Sequence, residues 1–406
     1  MAGIILHIDV NSAFLSWSAV ENLKNGSDID LRLIPSIIGG DMSRRHGVVL
    51  AKSLPAKAYG IQTGEPVVNA FRKCPNLVTQ APDHMLYERR SQELMQYLRS
   101  VCPFIEQVSI DECYMDFSPI AKDYSSPKAA AEEIKNHIRD TFGFTVNVGI
   151  SDRKVLAKMA SDFKKPDLVH TLYSYEIQEK MWKLPVSSLF MCGKSSVETL
   201  RKLEILTIGD LAKADPDIIS LHLKSHGLLL WNYANGIDTS EVEPESVDLK
   251  GIGNSTTLSA DALTASDCKR VLLSLSDTVA SRLRANGQAA GMISTEIKYN
   301  TFQTVSHQTT LPTPCCTAGL IYETACALFD EIWDGTPVRL LGIRTSKLIS
   351  RDEPVQLSLF DYKESQPQNE KQEKLDEALF HIRQKYGENS VVRGSLLHSS
   401  DEFKKH

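Results

Sequence analysis

Three acidic residues lie beside apolar, strand-like runs in the first third of the chain. Asp9 ends the run GIILHID, and the pair Asp111 and Glu112 lies between the runs FIEQVSI and CYMDF. Three converging carboxylates repel one another unless a hard divalent cation neutralises them. Two Mg²⁺ ions held in this way can activate a hydroxyl nucleophile and stabilise a leaving pyrophosphate. The alternative is that each acid caps a turn at the surface.

Basic residues at two places could bind the triphosphate that such a site would act on. Lys57 lies in SLPAKAYGIQTGEP, and Lys165 follows a basic helix. A solvated basic helix face is the commoner explanation for any single lysine, so only the combination with the acids favours triphosphate binding. The other basic residues of this helical segment are Arg153, Lys154, Lys158 and Lys164.

The elements around the acids predict a split βαβ, ferredoxin-like fold with a long insertion after the first helix. Because the central strands of this fold are antiparallel neighbours, Asp9 and the pair Asp111 and Glu112 could face one another. Many unrelated functions use this fold, so the order alone identifies none of them. The predicted elements are a strand at 3–9, a helix after it, a helix at 85–101, two strands that flank 111–112, a helix at 127–141, a strand at 144–150 and a helix that stops before Pro166.

The rest of the chain divides by composition. Small helices are predicted over 171–238, and the acidic stretch TSEVEPESVD that follows is typical of a linker. Residues 250–350 alternate strand-like and helical runs, which predicts a second α/β unit. From Arg351 the chain turns polar and ends with the amphipathic stretch LDEALFHIRQKYG.

The overall composition is that of a globular protein whose net charge argues against binding to nucleic acid. With 42% hydrophobic and 24% charged residues, the chain is neither collagen-like nor wholly disordered. It has 45 Lys and Arg against 51 Asp and Glu, a net charge of −6, whereas nucleic-acid-binding domains are typically basic. Many of the acids lie in the linker and the tail, so the distribution of charge can matter more than its sum.

The sequence predicts a cytosolic protein without a membrane partner. Its apolar runs are too short to span a bilayer. The eight cysteines form no CxxC pair and no zinc-ligand spacing. The adjacent Cys315 and Cys316 are badly placed for a disulfide with each other, so reduced thiols are expected.

Four segments resemble, in order and spacing, the signature segments of the Y-family DNA polymerases, the DNA polymerase IV-like translesion enzymes. They are IDVNSAF, SLPAKAYGIQTGEP, VSIDECYMDF and VGISDRKVLAKMASDFKKP. The resemblance covers roughly 1–350 and implies an α+β multidomain protein with a ferredoxin-like palm. The implied domains are a palm at 1–21 and 78–170, fingers at 22–77, a helix–hairpin–helix thumb at 171–238, a linker at 239–249, an α/β little finger at 250–350, and a tail at 351–406 with a clamp-binding peptide and a terminal helix.

The resemblance implies a catalytic site for nucleotidyl transfer with two Mg²⁺ ions as cofactor. Asp9, Asp111 and Glu112 would be the metal ligands, together with the backbone carbonyl of Val10. Phe14 matches the bulky residue that lies under the sugar of the incoming nucleotide and rejects a 2′-hydroxyl. Ordinary helix core is the alternative role for this ring.

The nucleotide-binding positions depart from the commoner family pattern. Lys57 and Lys165 fall where the family places triphosphate-binding cations, but the first is usually an arginine, which binds phosphate bidentately. Leu54 stands where a triphosphate-contacting tyrosine is common, and Ala51 where a hydroxyl residue often lies. These departures concern the binding of the nucleotide and not the chemistry.

The resemblance also implies DNA contacts outside the palm. In the thumb segment at 192–212, Gly193, Lys194 and Ser195 would bind the DNA backbone at a hairpin, although Met191 and Glu204 occupy places where glycine is frequent. A plain helical hairpin is the alternative. In the little finger, Lys298 and Arg344 would contact the duplex.

The segment QLSLF in the polar tail resembles the peptide by which these polymerases bind the bacterial sliding clamp. Leu357, Leu359 and Phe360 would insert into a groove and Gln356 would form hydrogen bonds. A five-residue match is also typical of an ordinary strand, but its position after a completed domain favours the clamp.

We therefore expect a DNA-directed DNA polymerase of low fidelity that performs translesion synthesis on primer-template DNA with deoxynucleoside triphosphates. No second acidic cluster of nuclease type is evident, so no proofreading is expected. Two alternatives remain at this point. One is another two-metal nucleotidyl transferase or cyclase on the same palm fold, and the other is a catalytically impaired, clamp-bound DNA-binding scaffold.

Overall fold

The computed structural model describes residues 3–40, 47–244, 249–351, 353, 367–387, 390, 391 and 394. These residues divide into two compact units, one at 3–40 with 47–244 and one from 249 onward. The strands are β1 Ile5–Val10, β2 Ser36–Gly39, β3 Val49–Lys52, β4 Val78–Gln80, β5 Ile105–Gln107, β6 Glu112–Asp116, β7 Val146–Ser151, β8 Val169–Thr171, β9 Gly251–Ala262, β10 Gln288–Tyr299, β11 Thr304–Cys315 and β12 Val338–Ser350.

The structure also contains helices, of which α4, α10, α11 and α13 are the longest. They are α1 Ala13–Lys24, α2 Leu54–Ala58, α3 Val67–Lys73, α4 His84–Val101, α5 Pro127–His137, α6 Lys154–Ser161, α7 Ile177–Lys180, α8 Lys194–Lys202, α9 Ile208–Lys213, α10 Pro216–Ala234, α11 Ala265–Ala285, α12 Ala318–Ile332 and α13 Pro367–Tyr386. Short 3₁₀ turns lie at Ser118–Asp123, Ser174–Glu176 and Val186–Ser188, and a π turn at Ile138–Phe142. None of the helices in the described ranges is long and apolar enough to cross a membrane.

The first unit is built on a five-stranded sheet in the order β5-β6-β1-β7-β8. β1 is antiparallel to both β6 and β7, as the split βαβ pattern predicts. Its side chains alternate between the two faces of the sheet. Leu6 and Ile8 point into a core shared with helices on one face, while His7 and Asp9 lie on the face that α6 covers.

Helix α6 packs unusually close to this sheet because β7 carries a glycine beneath it. A Cβ atom on Gly149 would lie 2.0 Å from the carbonyl oxygen of Ala157 and 2.5 Å from the amide nitrogen of Ser161. Only glycine fits so close an approach of two backbones. The other side of α6 packs, through Leu156 and Met159, into the core of the helices α7 to α10.

A second, three-stranded sheet in the order β3-β2-β4 carries α2 and α3 and has its own small core. Lys52 lies in β3 and Ser53 caps α2, accepting a hydrogen bond from the amide of Ala56. Ser53 is buried and also donates to the carbonyl of Ile34, so its hydroxyl serves the local fold.

The end of the predicted thumb and the first part of the predicted linker are attached to the five-stranded sheet and its helix. Asp238 Oδ2 accepts a hydrogen bond of 2.9 Å from the amide of Val155, in the first turn of α6. The amide of Glu243 donates to Glu106 Oε2 at 2.8 Å, and the same carboxylate is paired with Lys154 at 2.6 Å. The acidic, apolar-poor composition of this segment gave no sign of these contacts.

The second unit is a four-stranded antiparallel sheet in the order β11-β10-β12-β9. Helices α11 and α12 cover one face, where Ile293, Ile297 and Ile343 are buried. Helix α13 is joined to this unit by Asp376, which is 2% exposed and accepts a hydrogen bond from the amide of Ala318 in the first turn of α12. The cysteines Cys74, Cys102, Cys113, Cys192 and Cys268 are buried thiols and form no disulfide.

Candidate active site

The strand pairing brings the three predicted carboxylates to one end of the sheet. Asp9 is directly opposite Glu112 in the register of β1 and β6. Asp111 precedes β6, and its carbonyl accepts a hydrogen bond of 3.0 Å from the amide of Val10. Residues that are 102 positions or more apart in the sequence therefore become neighbours because two buried, apolar strands pair.

Each carboxylate has a different partner. Asp9 Oδ2 pairs with the Nζ atom of Lys165, and Glu112 Oε2 accepts a hydrogen bond of 2.7 Å from the Nζ atom of Lys158. Asp111 Oδ1 accepts one of 2.7 Å from the hydroxyl of Ser109. Two of the three carboxylates are thus compensated by ammonium groups and the third by a neutral donor.

These environments shift the pKa values in opposite directions. Burial raises the pKa of Asp111, and the negative charges of Asp9 and Glu112 raise it further against the opposing hydroxyl of Ser109. His7 and Lys158 together hold the pKa of Glu112 at about 2, against the effect of its burial. The part of the Asp111 shift that comes from Asp9 and Glu112 is repulsion between carboxylates, which a bound cation would relieve.

The donor set fits a divalent cation by its chemistry. Carboxylate and carbonyl oxygens are the ligands that Mg²⁺ prefers. Within the described ranges, no three acidic, histidine or cysteine side chains are grouped as closely as a shared ion needs. The lysine ammonium groups on Asp9 and Glu112 supply positive charge at this end of the sheet instead.

The predicted triphosphate-binding lysines lie in different surroundings. Lys165 contacts Asp9 and also lies 2.8 Å from Asp162, and these two carboxylates raise its pKa against the opposing effect of burial. Lys57 is exposed in α2. None of the described hydrogen bonds and ion pairs joins its side chain to the three acids.

Phe14 lies in the first turn of α1, four residues after Val10 at the end of β1. Its ring stacks on the buried ring of Tyr87, with centroids 4.2 Å apart and planes at 6°. Ser12 is the N-cap of α1, and its side chain makes no capping hydrogen bond. The side chain of Asn11 is buried and bonds Asn147, Thr145 and the amide of Asp167.

The predicted DNA-contacting residues lie on two further surfaces. Gly193 precedes α8 as its N-cap, and Lys194 and Ser195 begin that helix. Lys298 in β10 and Arg344 in β12 lie on the sheet face opposite the helices α11 and α12, because Arg344 pairs with Ser294 and Lys298 is four residues further along. The predicted clamp-binding residues Gln356, Leu357, Leu359 and Phe360 lie outside the described residues.

Sequence reasoning missed the environment of Glu112. His7 lies two residues before Asp9 in β1 and therefore on the same face, and its ring is 1% exposed. Lys158 was assigned only to a basic helix face. Lys158 and Ser161 are three residues apart, which places them on one side of a helix. This spacing was the signal in the sequence that Lys158 lies on the side of the helix that faces the sheet.

Comparison with known proteins gives matches along most of the chain. Residues 8–162 match the model of the impB/mucB/samB family, and residues 249–359 match that of its C-terminal domain. The DNA polymerase IV of Clostridium acetobutylicum is 46% identical over 402 residues, which cover 99% of this chain and all of the relative. The DNA polymerase IV of Acetivibrio thermocellus is 35% identical, with 98% of each chain covered.

This chain belongs to the Y-family DNA polymerases. A solved structure of a Y-family DNA polymerase chimera shares its fold, with a TM-score of 0.74 and 21% identity over 86% of this chain and 99% of the chimera. The α+β multidomain class predicted from the sequence is thus confirmed. The Y-family relationship does not favour a cyclase or an inactive scaffold, because the relatives matched over their full length are named polymerases.

Proposed function

We propose that this Y-family polymerase extends a DNA primer across damaged template with low fidelity, and that Asp9, Asp111 and Glu112 carry the nucleotidyl transfer. The observation that supports this site is the pairing of β1 with β6, which sets Asp9 opposite Glu112 with Asp111 next to it. Y-family polymerases generally depend on divalent metal ions. The three carboxylates, with the carbonyl of Val10, would hold two Mg²⁺ ions, which when bound favour ionisation of the primer 3′-hydroxyl and stabilise charge on the phosphates.

The remaining side chains would bind and orient the substrates. Lys165 is paired with two carboxylates at the surface of the site, so it can exchange them for the phosphates of a nucleotide. Lys57 would add a second cation from α2. Phe14 would lie under the deoxyribose, where its stacked ring leaves no space for a 2′-hydroxyl.

The proposed DNA contacts use main-chain amides and two basic side chains. The first turn of α8, after Gly193, offers amide groups without intrahelical partners, and such groups bind phosphate. Lys298 and Arg344 would contact the duplex from the sheet of the second unit. We also propose that QLSLF at 356–360 attaches the enzyme to a bacterial sliding clamp, which rests on the sequence alone.

Primer extension by two isosteric variants tests the catalytic assignment. Asp111→Asn removes a proposed metal ligand and should reduce extension with Mg²⁺ by about a thousandfold or more, because the site loses one of three charges that hold the cations. Asp116→Asn changes an acid at the other end of the same strand and should extend normally. Both variants should bind primer-template DNA like the wild type in fluorescence anisotropy.

An Asp111→Asn variant that extends primers at the wild-type rate would refute the assignment. The circular dichroism spectrum and the melting temperature of both variants show whether a loss of extension comes from misfolding.

A further inference from the structure

Lys158 places a nearly buried ammonium group against Glu112. Its side chain is 13% exposed, and its Nζ atom lies 2.7 Å from Glu112 Oε2 and 3.7 Å from Asp162 Oδ2. Burying an ammonium group is costly unless it is paired. The solvated basic face that explains an ordinary helical lysine therefore does not explain this one.

A buried hydrogen-bonded chain fixes the backbone from which Lys158 extends. The Oγ atom of Ser161 donates to the carbonyl of Lys158 at 2.8 Å and lies 2.8 Å from the Nδ1 atom of His7. His7 and Ser161 are both fully buried, so the chain ties β1 to α6 at the peptide of Lys158 itself.

The glycine under α6 completes this arrangement. Since any side chain at Gly149 would collide with the backbone of Ala157, α6 is held at a separation that lets Ser161 reach His7. Lys158 thus extends from a rigid base and not from a mobile surface.

The two oxygens of Glu112 are used unequally. Lys158 Nζ and, at 3.4 Å, His7 Nε2 both approach Oε2. Among the described residues, no hydrogen bond or ion pair of Glu112 uses Oε1. One oxygen is anchored and the other is available to a cation.

We propose that Lys158 is a positioning residue for nucleotidyl transfer, which fixes Oε2 of Glu112 so that Oε1 joins Asp9 and Asp111 in holding a cation. This inference rests on the proposed function, since it requires Glu112 to be a metal ligand. The environment of Lys165 differs from that of Lys158. Lys165 is 34% exposed and is paired with two carboxylates, which it can exchange for the phosphates of a nucleotide.

Lys154 provides a matched control for Lys158. It lies one helical turn earlier on α6, is 12% exposed, and pairs with Glu106 at 2.6 Å, away from the three acids. We expect Lys158→Met to lower the maximal rate of single-nucleotide insertion by about tenfold or more, with the apparent Kd of the nucleotide changed by less than about twofold. Lys158→Arg should recover most of the rate, and Lys154→Met should keep the wild-type rate. A normal rate for Lys158→Met, or an equal loss for Lys154→Met, would overturn the proposal.

A second measurement needs neither metal nor substrate. In the presence of a chelator, the effects of Lys158→Met and Glu112→Gln on the free energy of unfolding should be less than additive, because each change removes the same contact. The effects of Lys154→Met and Glu112→Gln should add. Additive effects for the first pair would reject a direct role of Lys158 on Glu112.

Glu112→Gln also separates the two hypotheses. If this variant inserts nucleotides at the wild-type rate, the proposed metal site itself is wrong. If it is inactive while Lys158→Met is normal, only the role of Lys158 is wrong.

Discussion

The ring of Phe14 is held by a group of aromatic side chains and not by one contact. Tyr87 stacks on one side of it, and its hydroxyl lies 3.0 Å from the hydroxyl of Ser18. His84 meets the ring edge-on with centroids 6.3 Å apart. Such a supported ring is a stiff surface, and a stiff surface discriminates between ligands that differ by one hydroxyl group.

Removing this ring should relax the discrimination between sugars. For Phe14→Ala, we expect the ratio of kcat/KM for ribonucleotides to that for deoxyribonucleotides to rise by about tenfold or more, because space for a 2′-hydroxyl opens. Phe142→Ala, which removes another partly buried ring of the same core, should leave the ratio unchanged. An unchanged ratio for a folded Phe14→Ala protein would return Phe14 to an ordinary core role.

At the residue scale, the sequence predicted the acidic residues of the site better than the side chains that pair with them. The proximity of Asp9, Asp111 and Glu112 could be predicted, because antiparallel strands bring distant residues together at a fixed register. The contact of Glu112 with Lys158 could not, because it requires the close packing of α6 on Gly149. Such a close approach depends on tertiary packing, which periodicity does not encode.

At the element scale, the turns before and after α8 have a strained backbone. Met191 has a φ of 68° and Glu204 a φ of 62°, so both occupy the left-handed region. The resemblance to the Y-family polymerases indicates that glycine is frequent at these two positions. A non-glycine residue costs about 1 kcal/mol or more in this region, which destabilises both turns.

Glycine at either position should relieve this strain. We expect Met191→Gly and Glu204→Gly each to raise the free energy of unfolding by about 0.5–1 kcal/mol, after the larger entropy of glycine in the unfolded chain is taken into account. Glu198→Gly, at an exposed position inside α8, should instead lower it by about 1 kcal/mol. Urea denaturation measures the free energy of unfolding of all three variants. If Met191→Gly and Glu204→Gly both lower it, the two turns are not strained.

Elements with a strong apolar period were predictable, and those held by polar contacts were not. The helix at α4 and the strands β1, β6 and β7 were expected within a few residues of their observed ends. The attachment of Glu243 to Glu106 was not expected, because it uses a backbone amide and a carboxylate in a segment without apolar residues to signal burial.

At the scale of the whole molecule, an acidic protein must bind DNA through limited surfaces. The face of the four-stranded sheet opposite α11 and α12 carries Lys298 and Arg344, and it also carries Glu296 on β10. Contacts of this kind are made to phosphates and do not depend on base sequence. The net charge of −6 therefore predicts weak binding that is sensitive to salt.

The salt dependence of DNA binding should identify these contacts. Arg344→Gln and Lys298→Gln should each reduce the slope of log K against log[salt] by about 1, equally for unrelated DNA sequences. Lys269→Gln removes a lysine of α11 that is paired with Asp330, and it should leave the slope unchanged. Unaltered slopes for both of the first two variants would exclude this face from the DNA interface.

The peptide at 356–360 should affect binding to the sliding clamp and not the rate of primer extension. Deleting 356–360 should weaken binding to the bacterial sliding clamp while distributive primer extension stays the same, because a short apolar peptide docks independently of the polymerase site. Deleting the five residues that follow, 361–365, serves as the control of equal length. Surface plasmon resonance on immobilised clamp measures both, and normal clamp binding without 356–360 would reject the motif.

The bond between Asp238 and the amide of Val155 also matters for exchanging parts between related polymerases. A chimera joined directly after α10 would take Asp238 and Glu243 from one parent, but Val155 and Glu106 from the other. The first turn of α6 and the Glu106 carboxylate would then meet foreign partners. A junction placed after Glu243 keeps each of these pairs within one parent, so it is the better boundary for grafting a different second unit onto this polymerase.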